Sequence, residues 1–266
     1  MVNFENKERY NVYDLRDLIS FLRGPVGCPW DMEQTHESIC RNFIEEVYEV
    51  AEAIDEGDPA HLCEELGDVL TQVVFHADIE SDAGRFGLDD VADMVCKKLI
   101  SRHPHIFGDV SVTGSGDVLA NWEVIKRTER GQDTVTDSMA TVSKSLPALW
   151  RAEKIQKKAA ESGFDWAEIG GAMDKLSEEL DELSDAVSSG SGIAEELGDL
   201  LFSAVNVARF AGIDPETALT EACNKFIKRF AFVENSAISQ GKEIENMSLT
   251  EMDNLYNDAK EALKNE

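Results

Sequence analysis

The stretch EEVYEVAEAIDEGDPAHLCEELGD at 45–68 decides the fold, because its closing phrase, EELGD, occurs a second time at 195–199. Each copy of EELGD follows another acidic cluster, EEVYE at 45–49 and EELDE at 178–182. One such set can arise from composition and form a solvated acidic surface, since 53 of the 266 residues are Asp or Glu. Two sets in the same order need another explanation.

Helical periodicity dominates the first stretch. Apolar residues recur three or four positions apart, at Ile44, Val47, Ala51 and Ile54 and again at Leu62, Leu66, Val69 and Val73. The segment DEGDPA at 55–60 separates the two series, with Asp58 as a helix cap and Pro59 as the first residue of the next helix. The sequence therefore predicts a helical hairpin. Because strand-like alternation is nearly absent, it predicts an all-α fold.

The second half repeats this plan. The predicted elements are a helix at about 170–187, a break at 188–192, a helix at about 193–210 and another after Asp214-Pro215. Two further landmarks recur in order, GCPWD at 27–31 with GFDW at 163–166, and Lys98 and Arg102 with Lys225 and Arg229. Such a series of landmarks indicates an internal duplication.

Residues 108–118 and 131–145 are poor in large apolar side chains and rich in Gly, Ser, Thr and Asp, as linkers are. A short helix is expected between them. We therefore expect two tandem helical domains of the four-helix-bundle type, at 1–130 and 146–266, joined by a linker at 131–145.

Each hairpin places two pairs of acids on one face, because residues three or four apart on a helix are neighbours. The first quartet is Glu46, Glu49, Glu65 and Asp68, and the second is Glu179, Glu182, Glu196 and Asp199. Converging carboxylates repel one another and need a cation, and oxygen ligands of this kind suit Mg²⁺ or Mn²⁺. The Glu-x-x-His pairs of a di-iron bundle and the Gly-centred loop of an EF-hand are missing from both quartets.

Gly67 and Gly198 lie inside the two EELGD phrases. A glycine within a helix costs about 1 kcal/mol relative to alanine. Because the cost recurs at the same place, we expect a backbone or a ligand to approach these positions closely.

The two K-x-x-x-R pairs put positive charges one helical turn apart, so that both side chains can reach one anion. Lys98 and Arg102 form the first pair, and Lys225 and Arg229 form the second. Carboxylates for a metal and cations for phosphate together describe a site for a polyphosphate–Mg²⁺ complex.

The overall composition argues against several classes of protein. A net charge of -28 disfavours nucleic acid as a partner, because a phosphate backbone requires a basic surface. No apolar run approaches the ~20 residues of a membrane span, and the N-terminus lacks the apolar core of a signal peptide. Five cysteines without a C-x-x-C pair are typical of reduced thiols in a cytoplasmic protein. His36, His103 and His105 show no H-x-x-x-H spacing, which argues against a transition-metal site.

Several segments resemble the MazG family of nucleoside triphosphate pyrophosphohydrolases in its tandem-domain form. They are the paired E-E-x-x-E and E-x-x-D motifs, CPWDMEQTH at 28–36, RHPHIFGDV at 102–110 and NKFIKRF at 224–230. The resemblance runs from about Leu15 to Lys260. It implies an all-α homodimer that hydrolyses NTPs and dNTPs, ATP among them, to the monophosphate and pyrophosphate with Mg²⁺.

The resemblance also implies roles for individual residues, with the metal held by the acids of the second quartet. The implied nucleotide contacts are Lys175, Glu179, Asp199, Lys225, Arg229 and Tyr256, with Lys98 and Arg102 in the first half. Glu178 and Glu45 are candidate catalytic bases or second-metal ligands, or else exposed glutamates. Gly192 stands where relatives can carry a basic residue and Tyr256 where a Trp is expected, and either change can loosen nucleotide binding.

Two functions remain open on these grounds. One is a Mg²⁺-dependent enzyme of nucleotide-pool housekeeping, and the other is a nucleotide-sensing regulatory protein that binds through its acidic surface. The quartets favour the enzyme, because a binding protein does not need four metal-ligand carboxylates. The second half has the stronger claim to activity, because NKFIKRF matches the family's nucleotide-contact segment more fully than KKLISRH at 97–103 does. Pro104 is also expected to end the helix of the first basic pair early. Apolar residues outside one stripe, such as Val50 and Leu70, predict burial in a homodimer.

Overall fold

The protein is described by a computed structural model that covers Phe4, residues 6–129, Gly131 and residues 134–264. Over these residues the secondary structure is helical and contains no strand, so the predicted all-α fold is confirmed. No helix in the described part of the chain is long and apolar enough to cross a membrane. The chain divides into two compact units, Met1–Lys126 and Arg127–Glu266.

The first unit is built around the predicted hairpin. Its helices are α1 (Val12–Arg23), α2 (Pro29–Met32), α3 (His36–Glu56), α4 (Pro59–Asp82), α5 (Leu88–Ser101), α6 (Pro104–Phe107) and most of α7 (Ser115–Glu129). Helices α3 and α4 pack against each other, and α1 packs against α4. Gly57 ends α3 in the left-handed region at φ 68°, and the Asp58 side chain accepts hydrogen bonds from the first backbone N–H groups of α4. The break predicted at 55–60 is therefore a two-residue turn with a capped second helix.

The core of the first unit lies at the end of the hairpin that is remote from this turn. Ile19 of α1, Ile39 of α3 and Val74 and Phe75 of α4 are buried together. The quartet residues Glu46, Glu49, Glu65 and Asp68 lie nearer the turn. The apolar core thus fixes the hairpin at one end and leaves the carboxylates of the other end partly open to solvent.

The second unit repeats the hairpin. Its helices are α8 (Val135–Ala140), α9 (Ala148–Glu161), α10 (Ile169–Ser189), α11 (Ile193–Ala211), α12 (Pro215–Ser239) and α13 (Leu249–Ala262), with a short 3₁₀ helix at Ile244–Asn246. Helices α10 and α11 form the hairpin, α9 packs against α11, and α12 packs against α13. Gly190 and Gly192 make the turn with φ of 72° and 80°, a backbone region that favours glycine.

The structure corrects the prediction that residues 131–145 form a linker. Thr134 and Asp137 make a capping box that starts α8, and this helix packs on α9. Ser138 is buried, and its hydroxyl accepts a hydrogen bond of 2.7 Å from the Lys158 ammonium. The segment therefore belongs to the second unit, and the division between units falls inside α7, at 126/127. Residues 132 and 133 of the predicted linker lie outside the described residues.

Candidate metal and nucleotide site

Each hairpin gathers three carboxylates at the face between its two helices. The first acidic triad is Glu46, Glu49 and Glu65, and the second acidic triad is Glu179, Glu196 and Asp199. In each triad one oxygen from every residue lies within 4.8 Å of the others. Both triads come from the predicted quartets, and each takes residues from both helices of its hairpin.

One member of each predicted quartet lies outside its triad. Asp68 and Glu182 are exposed and do not belong to the clusters of ligand atoms. They still lie close enough for their charge to raise a pKa in the triad, Asp68 that of Glu46 and Glu182 that of Glu196. The structure therefore places these two carboxylates at the rim of the clusters.

Burial and mutual repulsion make the triads unfavourable places for bare negative charge. Burial is the largest cause that raises the pKa of Glu46, Glu65 and Glu196, and neighbouring carboxylates raise these pKa values further. Both effects disfavour the ionised form. A bound cation would relieve both.

One buried oxygen in each triad has no hydrogen-bond partner. Glu65 is 8% exposed and Glu179 is 5% exposed, and the Oε2 atom of each is buried without a donor. A buried acceptor without a partner is unfavourable, and native proteins contain few of them. Carboxylate oxygens are the ligands that hard divalent cations prefer, so the residues of both triads fit such an ion.

A different basic side chain lies beside each triad. The Lys175 ammonium is 2.8 Å from Glu178 Oε1 and 2.8 Å from Glu179 Oε1, and hydrogen bonds to the two carboxylates raise its pKa. In the first unit, His61 Nε2 lies 3.2 Å from Glu65 Oε1. His61 was not among the predicted site residues, although its position one helical turn before Glu65 was a usable signal.

The two candidate catalytic bases lie outside the triads. Glu45 is exposed, and its Oε1 accepts a hydrogen bond of 2.9 Å from Arg41 Nε. Glu178 is also exposed and is paired with Lys175. Each is adjacent in sequence to a triad residue but projects from a more exposed side of its helix.

The second basic pair lies at a cavity of about 390 Å³ beside α12. The lining residues are Glu221, Asn224, Lys225, Lys228, Arg229 and Leu263. The Tyr256 ring on α13 packs near the Phe226 ring, and the Arg229 guanidinium lies 5.9 Å from the Tyr256 ring centroid. The structure thus brings together Lys225, Arg229 and Tyr256. Among the residues that the structure describes, no member of the second acidic triad lines this cavity.

The first basic pair is placed differently. Lys98 is in the last turn of α5, and Arg102 is the C-cap residue of that helix, because α5 ends at Ser101 shortly before Pro104. Arg229, by contrast, is followed by ten more helical residues, since α12 continues to Ser239. The helix of the first pair therefore ends early, as Pro104 predicted.

The close approach expected at Gly67 and Gly198 is not made within the described residues. A Cβ atom at either position would meet no described atom within 4 Å. Both glycines face open space, so the predicted approach of another backbone is wrong, and the predicted approach of a ligand stays a prediction.

These features define the class of the protein. It is an all-α protein with two helical hairpins, each of which carries a carboxylate triad that can hold a divalent cation. The MazG nucleotide pyrophosphohydrolase domain matches the chain over residues 34–107 and 171–232, once on each hairpin. The chain belongs to this family.

Relatives of similar length support the assignment. The chain is 43% identical to the nucleoside triphosphate pyrophosphohydrolase of Escherichia coli K12 over 92% of this chain and 95% of that protein. It is 42% identical to the nucleoside triphosphate pyrophosphohydrolase/pyrophosphatase MazG of Thermotoga maritima over 93% of this chain and 94% of that protein. A longer relative is the uncharacterized protein YabN of Bacillus subtilis, to which the chain is 49% identical. This match covers 97% of the chain and 53% of YabN, so the chain spans about half the length of that protein.

Proposed function

We propose that this chain hydrolyses nucleoside triphosphates and deoxynucleoside triphosphates to the monophosphate and pyrophosphate. Mg²⁺ is the proposed cofactor, with Mn²⁺ able to replace it, and the role is nucleotide-pool housekeeping in the cytoplasm. The observation that carries the proposal is the second acidic triad, with the buried, unpartnered Oε2 of Glu179, in a chain of the MazG family. The names of the two full-length relatives support the activity.

The acids of the two hairpins hold the metal in this proposal. The ligands in the second unit are Glu179, Glu182, Glu196 and Asp199, and those in the first are Glu46, Glu49, Glu65 and Asp68. Glu182 and Asp68 reach the ion from the rim by a change of side-chain rotamer or through water. When bound, Mg²⁺ supplies the charge that offsets the phosphate oxygens and lowers the pKa of water.

Basic and aromatic side chains bind the nucleotide. Lys225 and Arg229 lie one turn apart and bind the phosphates, Arg229 as a fork and Lys225 as a point charge. Tyr256, which already contacts Arg229, offers a ring face to the base or sugar. The remaining proposed contacts are Lys175, Glu179 and Asp199 in the second unit and Lys98 and Arg102 in the first.

The reaction breaks the anhydride bond between the α- and β-phosphates. Water adds its oxygen to one phosphorus, the electron pair of the broken bond stays with the bridging oxygen, and a proton is released. Glu178 is the candidate acceptor of that proton, and Glu45 is its counterpart in the first unit. Oε1 of Glu178 lies 2.8 Å from the Lys175 ammonium.

The functional form is proposed to be a homodimer. Large apolar side chains are exposed at the same four positions of both hairpins, Val47, Ile54, Leu66 and Leu70 in the first and Leu180, Val187, Leu197 and Leu201 in the second. The chain exposes 18427 Å², whereas two separate globular domains of half its mass would together expose about 14,000 Å². A second copy of the chain is the proposed cover for these faces.

Pyrophosphate release across a panel of canonical and modified NTPs tests the proposal. We expect release from several NTPs, with the nucleoside monophosphate as the other product. A nucleotide-sensing binding protein would instead bind NTPs in an equilibrium assay and release no pyrophosphate at any Mg²⁺ concentration. That result would replace the enzyme with the binding protein.

A further inference from the structure

A cavity of about 400 Å³ lies between α9 and α11 of the second unit. The segment GFDW at 163–166, which has no part in the proposed function, forms one wall of it. Three aromatic side chains line the cavity although they are exposed, Phe164 at 82%, Trp166 at 44% and Phe202 at 42%. The volume is that of a small-molecule pocket, and exposed aromatic side chains around one cavity are typical of a ligand site.

Two contacts hold the wall formed by this segment in place. The Arg209 guanidinium of α11 donates hydrogen bonds of 2.6 and 2.9 Å to the Asp165 carboxylate. The Trp166 ring lies against Gly171 of α10, so closely that a Cβ atom at Gly171 would be 2.2 Å from Trp166 Cδ1. The ring therefore needs a glycine at this position, and the aromatic wall has a fixed place in the fold.

Two amide side chains give the cavity polar groups for a ligand. Gln156 is 6% exposed, and its Nε2 donates a hydrogen bond of 2.8 Å to the Phe202 carbonyl oxygen, whereas its Oε1 is buried without a partner. Asn206 Oδ1 accepts a hydrogen bond of 2.9 Å from Arg209 Nε, and its amide nitrogen is a donor. Aromatic walls with amide groups between them suit a planar heterocycle that carries both N–H donors and acceptors, as a nucleobase does.

The cavity lies on the same face of α11 as the second acidic triad. Asp199, Phe202 and Asn206 are spaced i, i+3 and i+7, so their side chains follow one stripe of the helix. Seven helical residues span about 10 Å. Because the sugar separates the base of a nucleotide from its phosphates, a nucleotide with its phosphates at the triad would extend its base along this stripe.

The first unit fills the corresponding place with its core. When the two EELGD phrases are aligned, Phe75 of α4 corresponds to Asn206 of α11. Phe75 is buried together with Ile19 of α1, the helix that packs on α4 as α9 packs on α11. The first unit thus has a buried apolar residue where the second has a polar residue that lines a cavity.

We propose that the cavity between α9 and α11 is a binding site for a nucleobase, which stacks on Phe164 and Trp166 and bonds to Gln156 and Asn206. The base belongs either to the NTP whose phosphates lie at the second acidic triad or to a separate nucleoside. The inference deepens the proposed function and rests on it for the first of these sources. Its test measures nucleoside binding without turnover, so that the two proposals can fail separately.

Equilibrium dialysis of the full-length protein with adenosine, guanosine, cytidine and uridine, without added metal, tests the site. We expect at least one of the four nucleosides to bind. Asn206→Phe introduces the residue of the first unit, fills the cavity and should weaken that binding at least tenfold. Asn235→Phe, the same change at an exposed residue of α12, is the matched control and should leave the binding unchanged.

A second variant guards against a folding defect in Asn206→Phe. Phe164→Ala removes a side chain that is 82% exposed and therefore contributes little to the core. It should weaken nucleoside binding at least threefold, because stacking on the ring is lost. Addition of a non-hydrolysable NTP with Mg²⁺ identifies the source of the base. Displacement of the nucleoside assigns the cavity to the substrate, and undiminished binding assigns it to a separate nucleoside.

Two results would overturn the proposal. One is that none of the four nucleosides binds, and the other is that folded Asn206→Phe and Phe164→Ala proteins bind them as tightly as the parent does. A loss of dimer mass in Phe164→Ala, in a protein that binds no nucleoside, would assign the aromatic wall to the contact between two copies of the chain instead.

Discussion

Lys175 and His61 differ in kind although each lies beside an equivalent set of carboxylates. Lys175 lies 2.8 Å from both Glu178 and Glu179, so its ammonium would compete with a divalent cation for the Glu179 carboxylate. His61 pairs with Glu65 of the first triad through Nε2 and with Glu56 through Nδ1. Similar acidic motifs therefore have different basic neighbours.

We expect the second triad to carry most of the NTP hydrolysis, and this expectation can be tested by substitution. Glu196→Gln with Asp199→Asn removes two negative charges from the second triad and keeps the side-chain shapes. We expect this double variant to lose NTP hydrolysis by on the order of 100-fold, because two of the charges that hold the cation are removed. Steady-state pyrophosphate release, with folding checked by circular dichroism, measures the effect.

The matched control is Glu65→Gln with Asp68→Asn, the equivalent two residues of the first quartet. We expect it to keep a substantial fraction of the activity, because the first basic pair lies at the end of α5 whereas the second lies within α12. An inactive first-triad variant beside an active second-triad variant would reverse this ranking of the two sites.

The candidate triad residues could be predicted from spacing, because acids one turn apart on a helix must share a face. The position of Asp68 and Glu182 outside the triads could not be predicted, since their side-chain rotamers depend on exposure that the sequence does not give. His61 was missed because a search for H-x-x-x-H spacing passes over a histidine whose partner is a glutamate. Its i, i+4 relation to Glu65 was the signal.

At the scale of helices, the hairpins could be predicted because their ends carry local signals. Asp58-Pro59 and Asp214-Pro215 cap and begin helices where the sequence analysis placed them. Helix α8 was missed because few large apolar residues mark it, so that composition indicated a linker. The capping box of Thr134 and Asp137 was a local signal for it, but the packing of α8 on α9 is a tertiary effect.

The cap of α13 gives a prediction on pH. Glu251 accepts hydrogen bonds from Lys242 and from the Ser248 backbone and hydroxyl, which lower its pKa from 4.5 to about 2. A lowered folded-state pKa contributes stability that is present above pH 4.5 and is lost as the pH falls toward 2. We therefore expect Glu251→Gln to lower Tm at neutral pH, and this difference from the parent should shrink as the pH falls below about 4.5.

Thermal unfolding followed by circular dichroism between neutral pH and the acid limit of folding measures the difference. Glu245→Gln, in the neighbouring 3₁₀ helix, is the control and should show little difference from the parent at any pH. A Tm difference for Glu251→Gln that stays constant across the acid range would contradict the assigned cause.

For the whole molecule, the exposed apolar faces of both hairpins predict a dimer. Light scattering should return about twice the chain mass of 29.5 kDa. Leu66→Glu with Leu197→Glu places charge on the exposed face of each hairpin and should shift the mass to that of one chain, because burying a charge in an apolar interface is costly. Leu249→Glu, at a residue that is 79% exposed and outside the hairpins, is the matched control. A parent protein of 29.5 kDa at assay concentration would refute the dimer.

The identity of the products with and without metal tests the central claim most directly. Chromatography of a reaction with NTP and Mg²⁺ should show the nucleoside monophosphate and pyrophosphate in equal amounts. Excess EDTA should abolish both, and Mg²⁺ or Mn²⁺ but not Zn²⁺ should restore them, because the second acidic triad offers only oxygen ligands. The formation of NDP and orthophosphate, or undiminished turnover in excess EDTA, would contradict a metal-dependent pyrophosphohydrolase.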